Sequence, residues 1–366
     1  MVRQSAPHGT SYRVKLEPSA HSFEVQPGET VLEAGLAAGL FLPYSCRSGV
    51  CSTCRGRVLA GEVNHGKVHP NYSSAAERAA GYTLLCQARP LSDLVIEARE
   101  LTDAEAIKPR KHPARIKQIT RVAPDIAIVT LRLPMNEPML FRAGQYVEFV
   151  LSNGSRRAYS IANAPAVEGN VDLELHLRHV PGGAWTDYVF TDLRERELVK
   201  IEGPLGGTAL RSHPGKLILL ASGTGFAPIK SIIEDAARRN ASRPMMLYWG
   251  GRTRQDLYLA DLAASWVRKY PWLQFTPVLS DATPDCEWTG RTGFVHHAVM
   301  DDLQDLSGYE VYACGAPIMI QAARADFIAH RRLNASRFSA DAFLTEADKN
   351  LSVSEQSAAA EKELSP

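Results

Sequence analysis

Four of the six cysteines are spaced so that their thiols can share one metal centre. Cys46, Cys51 and Cys54 form a C-x4-C-x2-C run, and Cys86 follows alone further along the chain. Three thiolates from one tight loop and a fourth from a distant element is the spacing of a [2Fe–2S] ligand set. The loop YSCRSGVCSTCRG is rich in Ser, Gly and Thr, so its backbone N–H groups can turn inward towards sulfide and tune the potential. A structural zinc would use the same four thiols. Zinc sites more often pair their ligands as two C-x2-C knuckles, and Cys86 has no cysteine close to it in sequence.

A second string, GSRRAYSIANAP, sets Arg157, Ala158, Tyr159 and Ser160 in a row. A fixed guanidinium suits an anionic diphosphate, and an aromatic face suits a flat ring system. In isolation a core tyrosine explains Tyr159 equally well. Phe141-Arg142-Ala143-Gly144-Gln145-Tyr146 precedes this string, and LRHVPGGAWTDYVF and EGPLGG follow it.

A third string runs from Leu217-Ile218-Leu219-Leu220 into Ala221-Ser222-Gly223-Thr224-Gly225-Phe226-Ala227-Pro228. Ile229, Ile232, Ile233, Ala236 and Ala237 then recur at helical spacing. Strand, glycine turn and amphipathic helix together bring backbone and a helix N-terminus to a pyrophosphate. Pro228 takes the third glycine position of the strict dinucleotide fingerprint, which is therefore absent. Cys314-Gly315 ends a later strand-like run, at the edge where open α/β sheets bind ligands. Tyr248 to Arg252 ends the strand expected between them. Cys286 fits no motif. His296 and His297 are adjacent, a spacing that does not put both on one face of a helix or strand, so no metal role is read for them.

The elements that must position these residues are legible in outline. SYRVKLEP and HSFEVQP alternate as two strands, Thr30 to Glu33 reads as a capping box opening a helix to about Gly39, and LVIEA reads as a closing strand. Residues 102–113 are charged, carry two prolines and show no period, which predicts a solvated linker that includes Lys108, Arg110, Lys111 and His112. From 114 to about 211, short β-rich runs separated by Gly, Asn and Pro predict an antiparallel barrel or sandwich. From 215, KLILLAS, MMLYWGG, QFTPVLS and EVYACGA alternate with helix-length segments, which predicts a parallel α/β sheet. The polar end, 346–366, reads as a flexible tail.

The chain has 366 residues, enough for two or three domains of roughly 150 residues. Apolar residues are 45% and charged residues 22%, ordinary for a globular protein, which excludes a fibrous or mainly disordered chain. Lys plus Arg (41) balance Asp plus Glu (40), so overall charge gives no ground for a nucleic-acid partner. No run approaches the roughly 20 apolar residues that span a bilayer, and MVRQSAPHGTSYRVK has no apolar signal-peptide core. A cytoplasmic protein with no membrane partner is expected.

LPYSCRSGVCSTCRGRVLAGEV with LLCQA resembles a plant-type ferredoxin domain over roughly the first 100 residues. GQY, RAYS, LRHVPGG and GTGFAP resemble, in that order, the ferredoxin–NADP reductase-like superfamily. The whole, over about residues 12–345, is similar to NADH-dependent reductase components of bacterial multicomponent oxygenases and to deoxysugar reductases. The resemblance implies a multidomain α+β and α/β protein: a β-grasp ferredoxin domain over 1–101, a linker over 102–113, an antiparallel β-barrel FAD domain over 114–212, a parallel α/β NAD(P) domain over 213–345 and a tail over 346–366.

It also implies roles. Cys46, Cys51, Cys54 and Cys86 would hold the cluster. Arg157 would pair with the flavin diphosphate, Tyr159 would lie on the ring and Ser160 would hydrogen-bond near its N5. Ala158, Tyr146, His176, Arg178, Gly183 and Thr186 would complete the FAD site. Gly223, Thr224, Gly225, Phe226, Arg252 and Gly315 would meet the dinucleotide, with Cys314 beside the nicotinamide. Asp341 and Phe343, in FSADAF, would face the flavin, and Ser160, Cys314 and Asp341 would serve hydride transfer.

A nicotinamide gives two electrons as hydride and a [2Fe–2S] cluster takes one at a time, so a flavin between them makes an electron splitter. The acceptor implied is a terminal oxygenase, by resemblance of the Rieske aromatic-ring type. A diiron monooxygenase, a cytochrome P450 and a deoxysugar dehydrase are the alternatives. Arg252 and Arg254 could grip a 2′-phosphate, but the resemblance favours NADH over NADPH. Two other classes stay in view: a non-catalytic ferredoxin-like binding module, which would lack Arg157, Ser160, the GTG turn or Cys314, and a zinc-stabilised flavoprotein.

Overall fold

The computed structural model describes residues 10–68, 72–101, 107–206, 215–283 and 286–344. It divides into two compact units, with the boundary between residues 106 and 107. The expected tail, 346–366, and residues 102–106 of the expected linker lie outside the described residues.

In the first unit, β1 (Tyr12–Glu17) and β2 (Ser22–Val25) form an antiparallel hairpin, followed by α1 (Val31–Ala37). The capping box is present. Thr30 Oγ1 accepts the Glu33 N–H at 3.2 Å, and Glu33 Oε2 accepts the Thr30 N–H at 3.0 Å, which satisfies two donors that a helix start leaves open. β3 (Arg55–Ala60), β4 (Val63–Asn64), α2 (Ala75–Ala79), β5 (Tyr82–Leu84), β6 (Arg89–Pro90) and β7 (Leu94–Glu97) complete the unit. The sheet runs β2-β1-β7-β3-β5, with β7 parallel to β1 at its centre. This is the expected β-grasp arrangement. Strand alternation buries Val14, Leu16, Phe23, Val25, Leu94 and Ile96. Gly35 lets α1 close on that face, since a Cβ there would stand 2.8 Å from Leu42 Cδ1.

The second unit opens with β8 (Arg110–Ala123), β9 (Ile126–Arg132), β10 (Tyr146–Val150), β11 (Arg156–Ser160) and β12 (Asp172–Arg178). α3 (Ala184–Thr191) and β13 (Leu198–Leu205) follow. The antiparallel order β11-β10-β13-β8-β9-β12 leaves β11 and β12 at the two edges. An Ile161–Leu175 bridge and a bond from the Ala162 N–H to the Glu174 carbonyl at 2.7 Å join those edges. Closure into a barrel leaves no open edge to recruit another chain.

The solvated-linker expectation is corrected here. Arg110 to Pro113 belong to β8 and pair with β13, Arg110 opposite Gly203 and Pro113 opposite Lys200. His112 points inward with Ala114 and Ile116 while Lys111, Pro113 and Arg115 point out. The alternation is masked in the sequence because one inward residue is a histidine and a proline interrupts the basic outward face.

The rest of the unit is β14 (Lys216–Ser222), α4 (Phe226–Arg238), β15 (Met245–Gly251), α5 (Ala260–Lys269), β16 (Leu273–Leu279), β17 (Arg291–Thr292), α6 (Val295–Asp302), β18 (Tyr309–Gly315), α7 (Pro317–Arg331) and β19 (Phe338–Ala342). All neighbours in the order β17-β16-β15-β14-β18-β19 are parallel. Helices that return the chain explain why β14, β15 and β18 read as nearly continuous apolar runs. Among the described residues, no helix is long and apolar enough to cross a membrane.

Candidate functional site

Cys46, Cys51 and Cys54 lie in the loop between α1 and β3, and Cys86 follows β5. The loop winds through left-handed backbone at Arg47, Gly49 and Ser52. Such turns send N–H groups to the inside, and the Ser48 N–H reaches Cys46 Sγ at 3.4 Å. Cys51, Cys54 and Cys86 are buried and Cys46 is half-buried. The Cys46 and Cys51 thiols are within hydrogen-bonding reach of each other, as are those of Cys54 and Cys86. Donation to the neighbouring sulfur and burial push Cys46 and Cys86 well up, while the Cys46 thiol brings Cys51 down to about 7. Four sulfurs so crowded cannot all ionise without a cation among them. The donor set fits a thiolate-bound metal group.

β11 carries the second string along an edge of the barrel. Ser160, buried, stands opposite Tyr146 in the ladder, and Tyr159 stands opposite Val147. Ala158 is exposed, and Arg157 and Tyr159 are half-buried. The Tyr159 ring meets Phe149 edge to face at 5.8 Å between centroids, and Phe149 meets Trp185 at 4.7 Å. Burial raises the Tyr159 phenol, which stays protonated. The adjacent Arg156 is taken by Glu148 and Glu202 at 2.9 and 2.8 Å. Gly183 is the N-cap of α3, and the buried Thr186 hydroxyl donates to the Val180 carbonyl at 2.9 Å. That hydroxyl shapes its own loop instead of standing free for a diphosphate.

The third string gives strand, turn and helix as predicted. β14 ends in a single 3-10 turn, Gly223–Gly225, which leads into α4. Pro228 sits in the first turn of α4, where a missing N–H is tolerated. A Cβ on Gly225 would collide with the Cys314 carbonyl, and one on Gly315 would collide with Ser222. The Ser222 hydroxyl in turn accepts the Ala316 N–H at 2.9 Å. Thr224 is half-buried and Arg252 exposed.

Phe226 is a correction. It has no exposed surface and stacks on Trp249 at 3.8 Å between centroids and 6° between planes, with Trp266 at 5.9 Å. It is a core residue, closed to a ligand by its own neighbours. Cys314 is fully buried and stands opposite Asp341 in the β18–β19 ladder. Burial and then the Asp341 carboxylate push its thiol well up, so it is held neutral. Phe343, half-buried, donates its N–H to the Gly315 carbonyl at 2.9 Å.

His176 and Arg178 are also placed otherwise than as open cofactor contacts. The buried His176 has both nitrogens engaged, Nε2 with Glu174 Oε1 at 2.8 Å and Nδ1 with the Tyr258 hydroxyl at 2.7 Å. Lys230 of α4 reaches Glu174 at 3.2 Å. Hydrogen bonding from His176 and the Lys230 charge outweigh burial and hold Glu174 down to about 2. Arg178 pairs with Asp125 at 3.0 Å and with Asp256. Sequence reasoning missed Glu174, Lys230, Asp256 and Tyr258. The period-two E-x-H-x-R in VDLELHLRHV was the available signal, because polar residues alternating with buried leucines share the opposite face of the strand and, where that face is covered, require partners.

Adjacent His296 and His297 do come together, against expectation. Their centroids are 4.2 Å apart, and their ligand atoms lie within 4.8 Å of each other and of the Asp326 carboxylate. Long side chains at the first turn of α6 lean together, which a rule based on face alone leaves out.

Three family descriptions match in order: the 2Fe-2S iron-sulfur cluster binding domain over 14–91, the oxidoreductase FAD-binding domain over 113–209, and the oxidoreductase NAD-binding domain over 219–325. The chain is 39% identical over 334 residues to the CDP-6-deoxy-L-threo-D-glycero-4-hexulose-3-dehydrase reductase of Yersinia pseudotuberculosis, covering 91% of this chain and 99% of that protein. It is 33% identical over 340 residues to reductase component 1 of the terephthalate 1,2-dioxygenase of Comamonas sp., covering 92% and 98%. A solved cytochrome P450 reductase of Amycolatopsis is similar with a TM-score of 0.70 at 36% identity, covering 91% of this chain and 98% of that one. The 2Fe-2S match decides between cluster and zinc.

Proposed function

Because the chain belongs to the iron–sulfur flavoprotein reductases, oxidoreductases that join 2Fe-2S, FAD-binding and NAD-binding domains, we propose that it takes electrons from NADH and delivers them singly to a terminal oxygenase of the Rieske type. The observation that carries the reading is the buried Cys314, registered opposite Asp341 and backed onto Gly225 of the turn. The turn and the end of β18 thereby meet at the carboxyl edge of the sheet, where open α/β sheets bind ligands, and the neutral thiol packs behind that edge.

Cys46, Cys51, Cys54 and Cys86 hold the cluster. Arg157, Tyr159 and Ser160, with Tyr146 opposite, line the FAD site, and Ala158 and Gly183 bring backbone to it. Gly223, Thr224, Gly225 and Gly315 form the dinucleotide turn, and Arg252 lies where the adenosine end would rest. FAD held there would supply the hydride-accepting and single-electron chemistry that no side chain offers. Ser160 offers a hydroxyl to the reacting edge, and Asp341 and Phe343 complete the enclosure. No proton-transferring acid or base is required of the chain.

The dioxygenase reductase relative supports an oxygenase as acceptor. The 39% identity to a deoxysugar dehydrase reductase supports a second reading, in which the acceptor is a dehydrase. An anaerobic visible titration with NADH, repeated with NADPH, tests the first half: flavin and cluster bands should both bleach at lower NADH. Stopped-flow oxidation of the reduced protein by a Rieske oxygenase and by a dehydrase tests the second. Faster oxidation by the dehydrase would overturn the oxygenase reading.

A further inference from the structure

The outward face of β12 joins the barrel to one segment of the nucleotide sheet. Leu173, Leu175 and Leu177 fill the barrel core, so Glu174, His176 and Arg178 share the other face. His176 reaches Tyr258 and Arg178 reaches Asp256. The two-residue spacing on the strand thus meets a two-residue spacing in the segment that follows β15. Asp256 is buried, and its Oδ2 accepts the N–H groups of Arg252 and Thr253, each at 2.9 Å. One carboxylate therefore links the Arg178 guanidinium to the backbone on which Arg252 is mounted.

We propose that Arg178 is a positioning residue for the dinucleotide, acting through Asp256 to fix the course of the backbone at Arg252–Thr253. This rests on the nucleotide reading above. Charge argues for action at one remove. The Arg178 guanidinium lies against Gly223, where a Cβ would stand 2.9 Å from its Nη1, but two carboxylates, Asp125 and Asp256, already share its single charge. A guanidinium so neutralised attracts a phosphate weakly. Its geometric effect on the segment 252–258 remains, and the His176–Tyr258 bond holds the other end of that segment.

The test is equilibrium binding of NAD+ to the holoenzyme, read by quenching of tryptophan fluorescence, with FAD and iron contents measured alongside. Arg178→Ala should raise Kd about tenfold, the usual loss for one charge-assisted hydrogen bond, and Arg178→Lys should recover part of it. Asp256→Ala should raise Kd at least as much. The double variant Arg178→Ala/Asp256→Ala should bind no more weakly than Asp256→Ala alone, since both act through one group. Tyr258→Phe, which keeps the ring, should weaken binding in the same direction by about threefold, the loss of a modest neutral hydrogen bond. FAD and iron contents should equal those of the wild type.

Multiplying effects in the double variant would overturn the proposal in favour of direct contact. An unchanged Kd in Arg178→Ala and Tyr258→Phe, or loss of FAD in step with NAD+ affinity, would also overturn it. A wild-type protein that binds no NAD+ would sink the nucleotide reading itself, a different outcome from wild-type binding that the variants leave intact.

Discussion

Gly225 and Cys314 meet backbone to backbone: a side chain on the glycine would strike the Cys314 carbonyl and stand 2.8 Å from the Gly315 nitrogen. The first helix turn of the dinucleotide motif is thereby pressed onto the end of β18. Gly225→Ala must push the two apart. The expected cost is about 3 kcal/mol, the upper range for overpacking against a backbone that cannot rotate away. Thermal unfolding followed by tryptophan fluorescence would show it, because four of the five tryptophans (249, 266, 272 and 288) lie in this part of the chain. NAD+ affinity should fall as well. A variant that melts and binds like the wild type would contradict the close packing.

Loss of one cluster ligand should separate the two halves of the redox chain. Cys86→Ser removes the thiol that closes the ligand set from outside the loop. Iron content should drop sharply while FAD content stays the same. Flavin bleaching by NADH should persist, and reduction of a one-electron acceptor protein should collapse. Retention of full iron would mean that another group supplies the fourth ligand.

Cys314 should resist alkylation. Its thiol is buried and held neutral beside Asp341, whereas Cys286 is half-buried at the rim of the nucleotide core. Only the thiolate reacts appreciably with iodoacetamide. Peptide mass mapping of the holoenzyme at pH 8 should find Cys286 labelled first. Cys314→Ser, which keeps the size of the group, should slow flavin reduction by NADH about tenfold, because Cys314 packs behind the Gly225 turn and small misplacements at a reacting centre are costly.

His296 makes the nucleotide region acid-sensitive. Burial, and then the charge of His297, bring its imidazole down to about 4, against an ordinary value of 6.5. A base whose folded value is depressed is held neutral by the fold. Stability is complete above pH 6.5 and is lost as pH falls from there through about 4. At pH 5 the loss should be about 2 kcal/mol, from the 1.36 kcal/mol that accompanies each unit. The melting temperature should fall over this window, and His296→Gln should flatten the dependence. Equal slopes in both proteins would assign the acid sensitivity elsewhere.

The elements carrying the cofactor strings were legible because their local rules agree with their place in the fold. Thr30 and Glu33 cap α1 as read, and Leu217 to Leu220 form a buried parallel strand as their unbroken apolar run requires. β8 was misread at its start because the basic residues around His112 look solvated until alternation is counted. At the site, spacing identified the cysteines, since four thiols in that pattern have few other uses. It could not separate Phe226 as core from Phe226 as contact. That distinction depends on Trp249 and Trp266, which reach it only after β15 and α5 have packed. Nor could it see that Asp256 and Tyr258 lie opposite Arg178 and His176, a pairing between residues about 80 positions apart.

That pairing bears on how such proteins can be recombined. The strand holding Glu174, His176 and Arg178 falls inside the matched FAD-binding segment, 113–209, and their partners Lys230, Asp256 and Tyr258 inside the NAD-binding segment, 219–325. A chimera cut between the two segments would inherit half of a polar lock from each parent. Unless positions 174, 176 and 178 travel with 230, 256 and 258, buried charges would face strangers, and the graft would fold as two bodies without a common seam.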